Sequence, residues 1–250
     1  MISKRRPNPS PVSSSRSAAD APPVPTRGYD KGAATSEHLV RVATRIFAAK
    51  GFAGATTREI CLAAGVNLAA IHYYFGDKEG LYRAALLEPI RAITSQFGDF
   101  GTDDLPFEQA IRAILAPLIT LSLREDDHEL NVARLHLREM LDPSPIFRDI
   151  VEREIAPLHA VLAGLVARHC GLARPDAEVH QLAFAMIAMA NDYCSSREFI
   201  RMLAPAVLSR RNACAAIVDR LVGYCVALLS HEQARRKAQS KGASRGRRVR

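Results

Sequence analysis

Apolar residues recur at helical spacing between residues 36 and 54. The apolar positions are Leu39, Val42, Ala43, Ile46 and Phe47. Their i, i+3, i+4, i+7, i+8 spacing places them on one face of a helix, which predicts a helix that packs into a core. Gly51 is expected to end the helix, at the position where a left-handed cap is needed.

A second, shorter helix is predicted from Thr57 to Ala64. Thr56 and Glu59 have the spacing of a capping box, in which the hydroxyl and the carboxylate accept from the free backbone N–H groups of the first turn. Gly65 is expected to end this helix after about two turns.

A third helix is predicted from Asn67, a favourable N-cap residue, to Tyr74. Its periodicity places one set of side chains outward, namely Leu68, Ala69, His72 and Tyr73, and another inward, namely Ile71 and Phe75. The predicted order is a helix, a two-turn helix, a glycine-containing turn and a short helix with polar and aromatic side chains. This is the order of a helix-turn-helix motif, whose last helix lies in the major groove of DNA.

The remainder of the chain is also predicted to be helical. Asp77 should cap a fourth helix that continues to about Phe97, with a kink at Pro89. Local start and stop signals place later helices near 106–124, 128–141, 145–170, 176–195 and 210–235. Alternating β-branched segments are absent from the sequence, so we expect an all-α protein.

The last two long helices are unusually apolar. Residues 182–190 leave almost no polar side, and 213–228 carry a broad apolar stripe with small residues. One chain is not expected to cover both surfaces, and their small residues permit the close approach of further helices. An ordinary buried helix in a monomer is the structural alternative.

The composition and the distribution of charge along the chain indicate the domain boundaries. The chain has 250 residues, 48% of them hydrophobic, and a net charge of +8 that comes from its two ends. Residues 1–35 hold six Lys or Arg against two acids, and residues 235–250 hold eight basic residues without an acid. We expect a disordered Pro/Ser/Arg-rich segment 1–35, a DNA-binding domain 36–83, a helical domain 84–234 and a disordered basic tail 235–250.

Candidate chemistry is sparse. The five cysteines show no C-x-x-C spacing and lie in helical patterns, which argues against a disulfide framework or a zinc site and favours the reducing cytoplasm. The sequence contains neither a hydrolase nucleophile motif nor a metalloprotease, dinucleotide or Walker motif. We therefore predict a protein that is not an enzyme, with no cofactor, no bound metal and no membrane span.

Residues 56–81 resemble the N-terminal domain of the TetR/AcrR family of transcriptional regulators. The resemblance is carried by Thr56-Thr57-Arg58-Glu59-Ile60, Ala63-Ala64-Gly65-Val66-Asn67 and Ile71-His72-Tyr73-Tyr74-Phe75-Gly76-Asp77-Lys78-Glu79-Gly80-Leu81. It implies three groups of DNA contacts: Thr56 and Thr57 to phosphate, Leu68, Ala69, Ala70 and His72 to bases, and Tyr73 and Lys78 to the backbone. The predicted DNA-binding set also includes Asn67. At Ala70 the family often has a hydroxyl residue, and at His72 a tyrosine.

Residues 131–140 and 145–148 are similar to the C-terminal domain of the CecR-like subset of this family. The resemblance to the family implies a pocket for a small-molecule effector among these helices. It also implies a homodimer through the last two helices, 176–195 and 210–235. The whole sequence thus predicts a regulator, more simply a repressor, that binds a palindromic double-stranded operator and is released by the effector. The alternative is a nonspecific DNA-binding protein whose affinity comes from its basic tails.

Overall fold

The computed structural model describes residues 27–95, 105–124 and 126–247, and within them it contains helices and no strand. Four helices form the N-terminal part: α1 (Arg27–Gly54), α2 (Thr57–Ala64), α3 (Leu68–Phe75) and α4 (Lys78–Thr94). Seven more follow: α5 (Phe107–Ser122), α6 (Asp127–Leu141), α7 (Pro145–Ile150), α8 (Ala156–His169), α9 (Ala177–Ser195), α10 (Arg197–Leu203) and α11 (Ala213–Arg247). The all-α prediction is confirmed.

Two separate hydrophobic clusters hold these helices together. The first, which we call the reader core, contains the apolar stripe of α1 with Ile60, Ile71 and Leu81 from the next three helices. It also includes Leu135 of α6 and Phe147 of α7. The second, the body core, is formed by α5, α8, α9 and α11. The predicted stripe of α1 is therefore buried as expected, and the reader core extends beyond the first four helices.

The segment between α7 and α8 is a π turn, Val151–Ile155, where a single helix over 145–170 was predicted. The Ala156 N–H donates to the carbonyl of Val151, five residues earlier. Pro157 lies next in the chain and has no N–H to donate, so the regular ladder cannot continue through it.

Helix α10 was not predicted from the sequence. Arg197, at its start, is buried and donates from Nη1 to the Arg124 carbonyl at 2.5 Å, just beyond the end of α5. A guanidinium there satisfies a carbonyl that would otherwise be unpaired at a helix terminus. The short helix is therefore defined by a tertiary contact more than by its own periodicity.

The predicted disordered ends need correction. Helix α1 begins at Arg27, inside the segment 1–35, while residues 1–26 lie outside the described residues. Helix α11 continues through Arg247, so most of the predicted tail 235–250 is helical. Glu232 accepts from Arg235 and Arg236, and Arg236 also pairs with Asp176 at 2.7 Å, which stabilises the helix where the tail was expected to begin.

The prediction for α4 falls partly outside the described residues. Helix α4 is described through Thr94 with Pro89 inside it, and Phe97 lies among the residues that are not described. In α11, the segment Ala213–Lys241 is long and apolar enough to cross a membrane by length and composition. Its Leu221 and Cys225 are buried in the body core, as in a core helix of a water-soluble fold.

Candidate DNA-binding site

The start of α2 is held by Thr56. Its Oγ1 accepts from the Glu59 N–H at 3.2 Å, as the capping pattern predicted. The reciprocal half of the box is absent, because the Glu59 carboxylate pairs instead with Lys50 of α1 at 2.6 Å. The Thr56 hydroxyl keeps its own hydrogen, so this exposed side chain can still donate to an acceptor such as phosphate.

The turn between α2 and α3 depends on Gly65. Its φ of 66° and ψ of 28° lie in the left-handed region, which non-glycine residues enter at a cost. The Val66 N–H then donates to the Cys61 carbonyl at 3.0 Å, which closes the end of α2. This turn sets the direction in which α3 leaves.

Helix α3 begins at Asn67, whose Oδ1 accepts from the Ala70 N–H at 3.1 Å. Ile71 is fully buried in the reader core and fixes the rotation of the helix about its axis. The opposite face carries Leu68, with 47% exposure, and Tyr73, with 82%. Exposure of large apolar and aromatic side chains on so short a helix indicates a surface that meets a partner.

Not every predicted base-facing residue is equally available. Ala69 and His72 are exposed, as expected, whereas Ala70 is half-buried and packs against the reader core. The Tyr73 ring meets Tyr74 edge to face with a centroid distance of 4.9 Å, which restricts both rings. The outward surface of α3 therefore consists mainly of Leu68, Ala69, His72 and Tyr73.

The start of α4 lies against the end of α3. Asp77 Oδ1 accepts from the Gly80 N–H at 2.8 Å and caps α4. A Cβ at Gly80 would lie only 1.9 Å from the Phe75 carbonyl oxygen, so glycine is required for this close approach. Lys78 is half-buried with its ammonium 4.4 Å from the centre of the Phe52 ring, so the predicted phosphate contact starts from a side chain that is already oriented.

Arg58 is a further candidate for DNA contact that the sequence prediction did not include. This arginine is exposed in the first turn of α2, next to Thr57, which is half-buried. A cation near a helix N-terminus opposes the helix dipole, so its position calls for a negatively charged partner. That mismatch between charge and helix end was readable from the sequence.

The reader core is joined to the later helices by polar contacts between α4 and α6. The buried Tyr82 hydroxyl donates to Glu139 Oε1, and Glu139 Oε2 accepts from the Ser144 N–H at 2.8 Å. Burial, followed by the hydrogen bond to Glu139 and its negative charge, raises the pKa of Tyr82 well above its usual range. The hydroxyl therefore remains protonated and keeps donating.

A second α4–α6 contact involves His136. Its Nε2 lies 3.1 Å from the Leu86 carbonyl oxygen, and its Nδ1 lies 3.1 Å from that of Val132. Burial lowers the pKa of His136, so the ring is neutral at pH 7 and donates to one of these oxygens at a time. Together with the Tyr82 contact, the His136 contact fixes α6 against α4.

Three small helices arranged in this way, with the last one presented outward by two caps and a buried isoleucine, define a helix-turn-helix DNA-binding protein. Comparison with known proteins gives the family. The family model for bacterial regulatory proteins of the tetR family matches residues 39–85. The model for the C-terminal domain of the HTH-type transcriptional dual regulator CecR matches residues 107–229.

Curated relatives agree with these matches. The chain is 32% identical over 166 residues to the HTH-type transcriptional dual regulator CecR of Shigella flexneri, covering 63% of this chain and 74% of the relative. It is 23% identical over 181 residues to the HTH-type transcriptional repressor NicS of Pseudomonas putida, covering 72% and 84%. The chain belongs to the TetR family of transcriptional regulators, and it is a DNA-binding regulator and not an enzyme.

Solved structures show the same fold. AibR, in complex with isovaleryl coenzyme A and operator DNA, has a TM-score of 0.54 at 19% identity, covering 76% of this chain and 97% of that one. A transcriptional regulator of Rhodococcus sp. Rha1 has a TM-score of 0.51 at 18% identity, covering 77% and 96%. The predicted family and the helix-turn-helix fold are confirmed, whereas the individual DNA contacts stay predictions.

Proposed function

We propose that this protein is a repressor that binds a palindromic operator as a homodimer and leaves it when a small molecule binds its C-terminal domain. The observation that carries the proposal is the outward face of α3, where Leu68, His72 and Tyr73 are exposed on a helix fixed by a buried isoleucine. A rigid helix with such a face fits the major groove.

The proposed DNA contacts divide into two kinds. Leu68, Ala69 and His72 face bases, with Ala70 contributing at most its methyl edge because it is half-buried. Phosphate contacts come from a second set, namely Thr56, Thr57, Arg58, Asn67, Tyr73 and Lys78. Asn67 keeps two side-chain N–H donors after its Oδ1 has capped α3, so it can both cap and bind phosphate.

The homodimer is proposed to form through α9 and α11. Phe184 of α9 is 64% exposed and Tyr224 of α11 is 48% exposed. Beside Tyr224, Gly223 has no heavy atom within 4 Å of where a Cβ would lie, which leaves room for the close approach of a second helix. Such a two-fold dimer presents two α3 helices to successive major grooves about 34–36 Å apart.

Gly223→Arg tests the dimer directly. The long side chain has open space in one chain but would block close packing of two α11 helices, so we expect a monomer in sedimentation velocity. Ala53→Arg at the exposed end of α1, a helix of the reader core, adds the same charge outside α9 and α11 and should leave the dimer intact. A dimer that persists in Gly223→Arg would refute the proposed interface.

The effector is proposed to act through the contacts between α4 and α6. A ligand empties an operator only if it binds one arrangement of the two α3 helices more tightly, and a few kcal/mol of such preference is enough. The CecR-like C-terminal match and the ligand-bound AibR neighbour support this part of the proposal. Its repressor sign is supported by relatives named as repressors, and a cytoplasmic location by the bacterial regulators among its relatives.

Footprinting tests sequence-specific binding. Purified full-length protein is mixed with DNA from upstream of its own and adjacent genes at about 150 mM salt with excess competitor, since phosphate attraction weakens with salt. A protected palindrome is expected, and changing Tyr73 and Lys78 together to Ala should abolish it. Specific protection by that double variant would refute the assigned contacts.

The alternative is nonspecific binding driven by the basic ends. Against it, Arg236 is already paired with Asp176 and Glu232, and Gln233 donates to the His169 carbonyl at 2.5 Å. This part of α11 therefore lies at the C-terminal end of α8. The N-terminal end of α8, which follows α7 of the reader core, is about 20 Å away along the axis of α8. Deleting residues 242–250 removes four basic residues and leaves the Arg236 ion pairs in place. We expect the footprint to persist, whereas under the alternative no bounded footprint forms and the deletion weakens binding to any DNA.

A further inference from the structure

His72 is tied to the turn that follows α3. Its Nδ1 lies 2.7 Å from the Gly76 carbonyl oxygen, and the Gly76 N–H donates back to the His72 carbonyl at 3.1 Å. A carbonyl oxygen can only accept, so the proton of a neutral imidazole must be on Nδ1. The hydrogen bond thus selects one tautomer of the ring.

Gly76 makes this geometry possible. Its φ of 80° and ψ of −57° lie in a region that favours glycine, and this conformation directs its carbonyl toward the imidazole. Gly76 is therefore a positioning residue for His72, because its carbonyl orients the ring and fixes the tautomer.

The selected tautomer makes Nε2 a hydrogen-bond acceptor. His72 is exposed, and within the described part of the chain it makes no other side-chain hydrogen bond. It lies one helical turn after Leu68 and beside Tyr73, on the outward face of α3. An acceptor on this face can be satisfied by a donor on the edge of a base.

We infer that His72 Nε2 reads an exocyclic amino group, N4 of cytosine or N6 of adenine, at one position in each operator half-site. The inference rests on the proposed insertion of α3 into the major groove. In that groove only these two groups are donors, whereas guanine and thymine present acceptors at the corresponding edge. His72 therefore selects A or C over G or T on the strand that it faces.

The test is selection of binding sites from a library with randomised half-sites, followed by affinities for all four bases at each position. The wild-type protein should prefer A or C by about five-fold at one position, the effect of a single hydrogen bond. His72→Phe keeps a planar ring at this exposed position but has no hydrogen-bond acceptor in place of Nε2. It should fold normally and lose the preference at that position alone.

His72→Lys supplies the opposite chemistry. An ammonium has donors and no acceptor, so this variant should prefer G or T where the wild type prefers A or C. Replacing adenine by purine, or cytosine by 2-pyrimidinone, removes the amino group without changing the backbone. The wild-type protein should lose about five-fold in affinity on such a site, and His72→Phe should lose nothing.

The insertion of α3 and the reading by His72 can each be refuted separately. If the wild type selects no sequence, the insertion of α3 fails, and the His72 inference is refuted with it. If the wild type selects a palindrome but His72→Phe keeps the same preference at every position, only the reading by His72 is refuted. A wild-type preference for G or T at the position that responds to His72 would refute it as well.

Discussion

Replacing Tyr82 with Phe removes the one hydroxyl that links the reader core to Glu139. Tyr82 is 1% exposed and Glu139 is 3% exposed, so water cannot readily replace the lost donor. The Tyr82 ring also packs edge to face on Phe47 with a centroid distance of 4.7 Å, and a phenylalanine keeps that contact. The substitution therefore isolates the hydrogen bond.

The expected cost follows from the charge of the acceptor. A buried hydrogen bond to a charged group contributes about 1.5–3 kcal/mol to the free energy of unfolding. For a chain of this size, 1 kcal/mol lowers the melting temperature by about 2–4 °C. Tyr82→Phe should therefore melt about 3–12 °C below the wild type.

The assay is differential scanning calorimetry of the free protein at neutral pH. Tyr73→Phe is the matched control, because it removes the same hydroxyl from a ring that is 82% exposed, and its melting temperature should not change. A Tyr82→Phe protein that melts within about 1 °C of the wild type would show that the hydroxyl adds nothing to the link between α4 and α6.

Three further predictions concern local structure. Gly65→Ala should lower the free energy of unfolding by about 1–2 kcal/mol in urea titrations, because Gly65 has positive φ; Gly65→Asn, which tolerates that φ, should lose less. Thr56→Ala should lower the free energy of unfolding by about 1 kcal/mol because α2 loses its N-cap, whereas Thr56→Ser should keep the cap and the wild-type stability. Equal stability of the two variants would contradict the role of the cap. The Arg236 hydrogen bonds lower the pKa of Asp176 to about 2 from its usual 3.8. Their contribution to the free energy of unfolding is therefore fully present above pH 3.8 and is lost as the pH falls through 2. Arg236→Ala should return the pKa of Asp176 toward 3.8 by NMR titration and raise amide exchange near residue 236, and an unchanged titration would contradict the ion pair.

Local signals in the sequence were sufficient to predict the caps and the turn of the helix-turn-helix segment. Thr56, Gly65, Asn67 and Asp77 occupy caps and turns whose hydrogen bonds run between residues three to five apart, so the chain itself specifies them. The sequence placed the start of α2 near Thr57 and its end at Ala64, which agrees with the structure.

Contacts between distant residues were not predictable in this way. The continuation of α11 depends on Asp176, which is 60 residues from Arg236, and α10 depends on carbonyls 73 and 74 residues away from Arg197. The half-burial of Ala70 likewise follows from packing against the reader core. Periodicity cannot reveal such partners, because it reports one helix at a time.

The membership of Leu135 and Phe147 in the reader core bears on the construction of chimeric regulators. A graft of residues 36–83 onto an unrelated body would leave behind these side chains together with Glu139, the acceptor of Tyr82. The transplanted segment would then expose apolar surface and carry an unpaired hydroxyl. The smallest exchangeable unit therefore joins residues 27–95 to α6 and α7, two pieces that are separated in the chain and continuous in space.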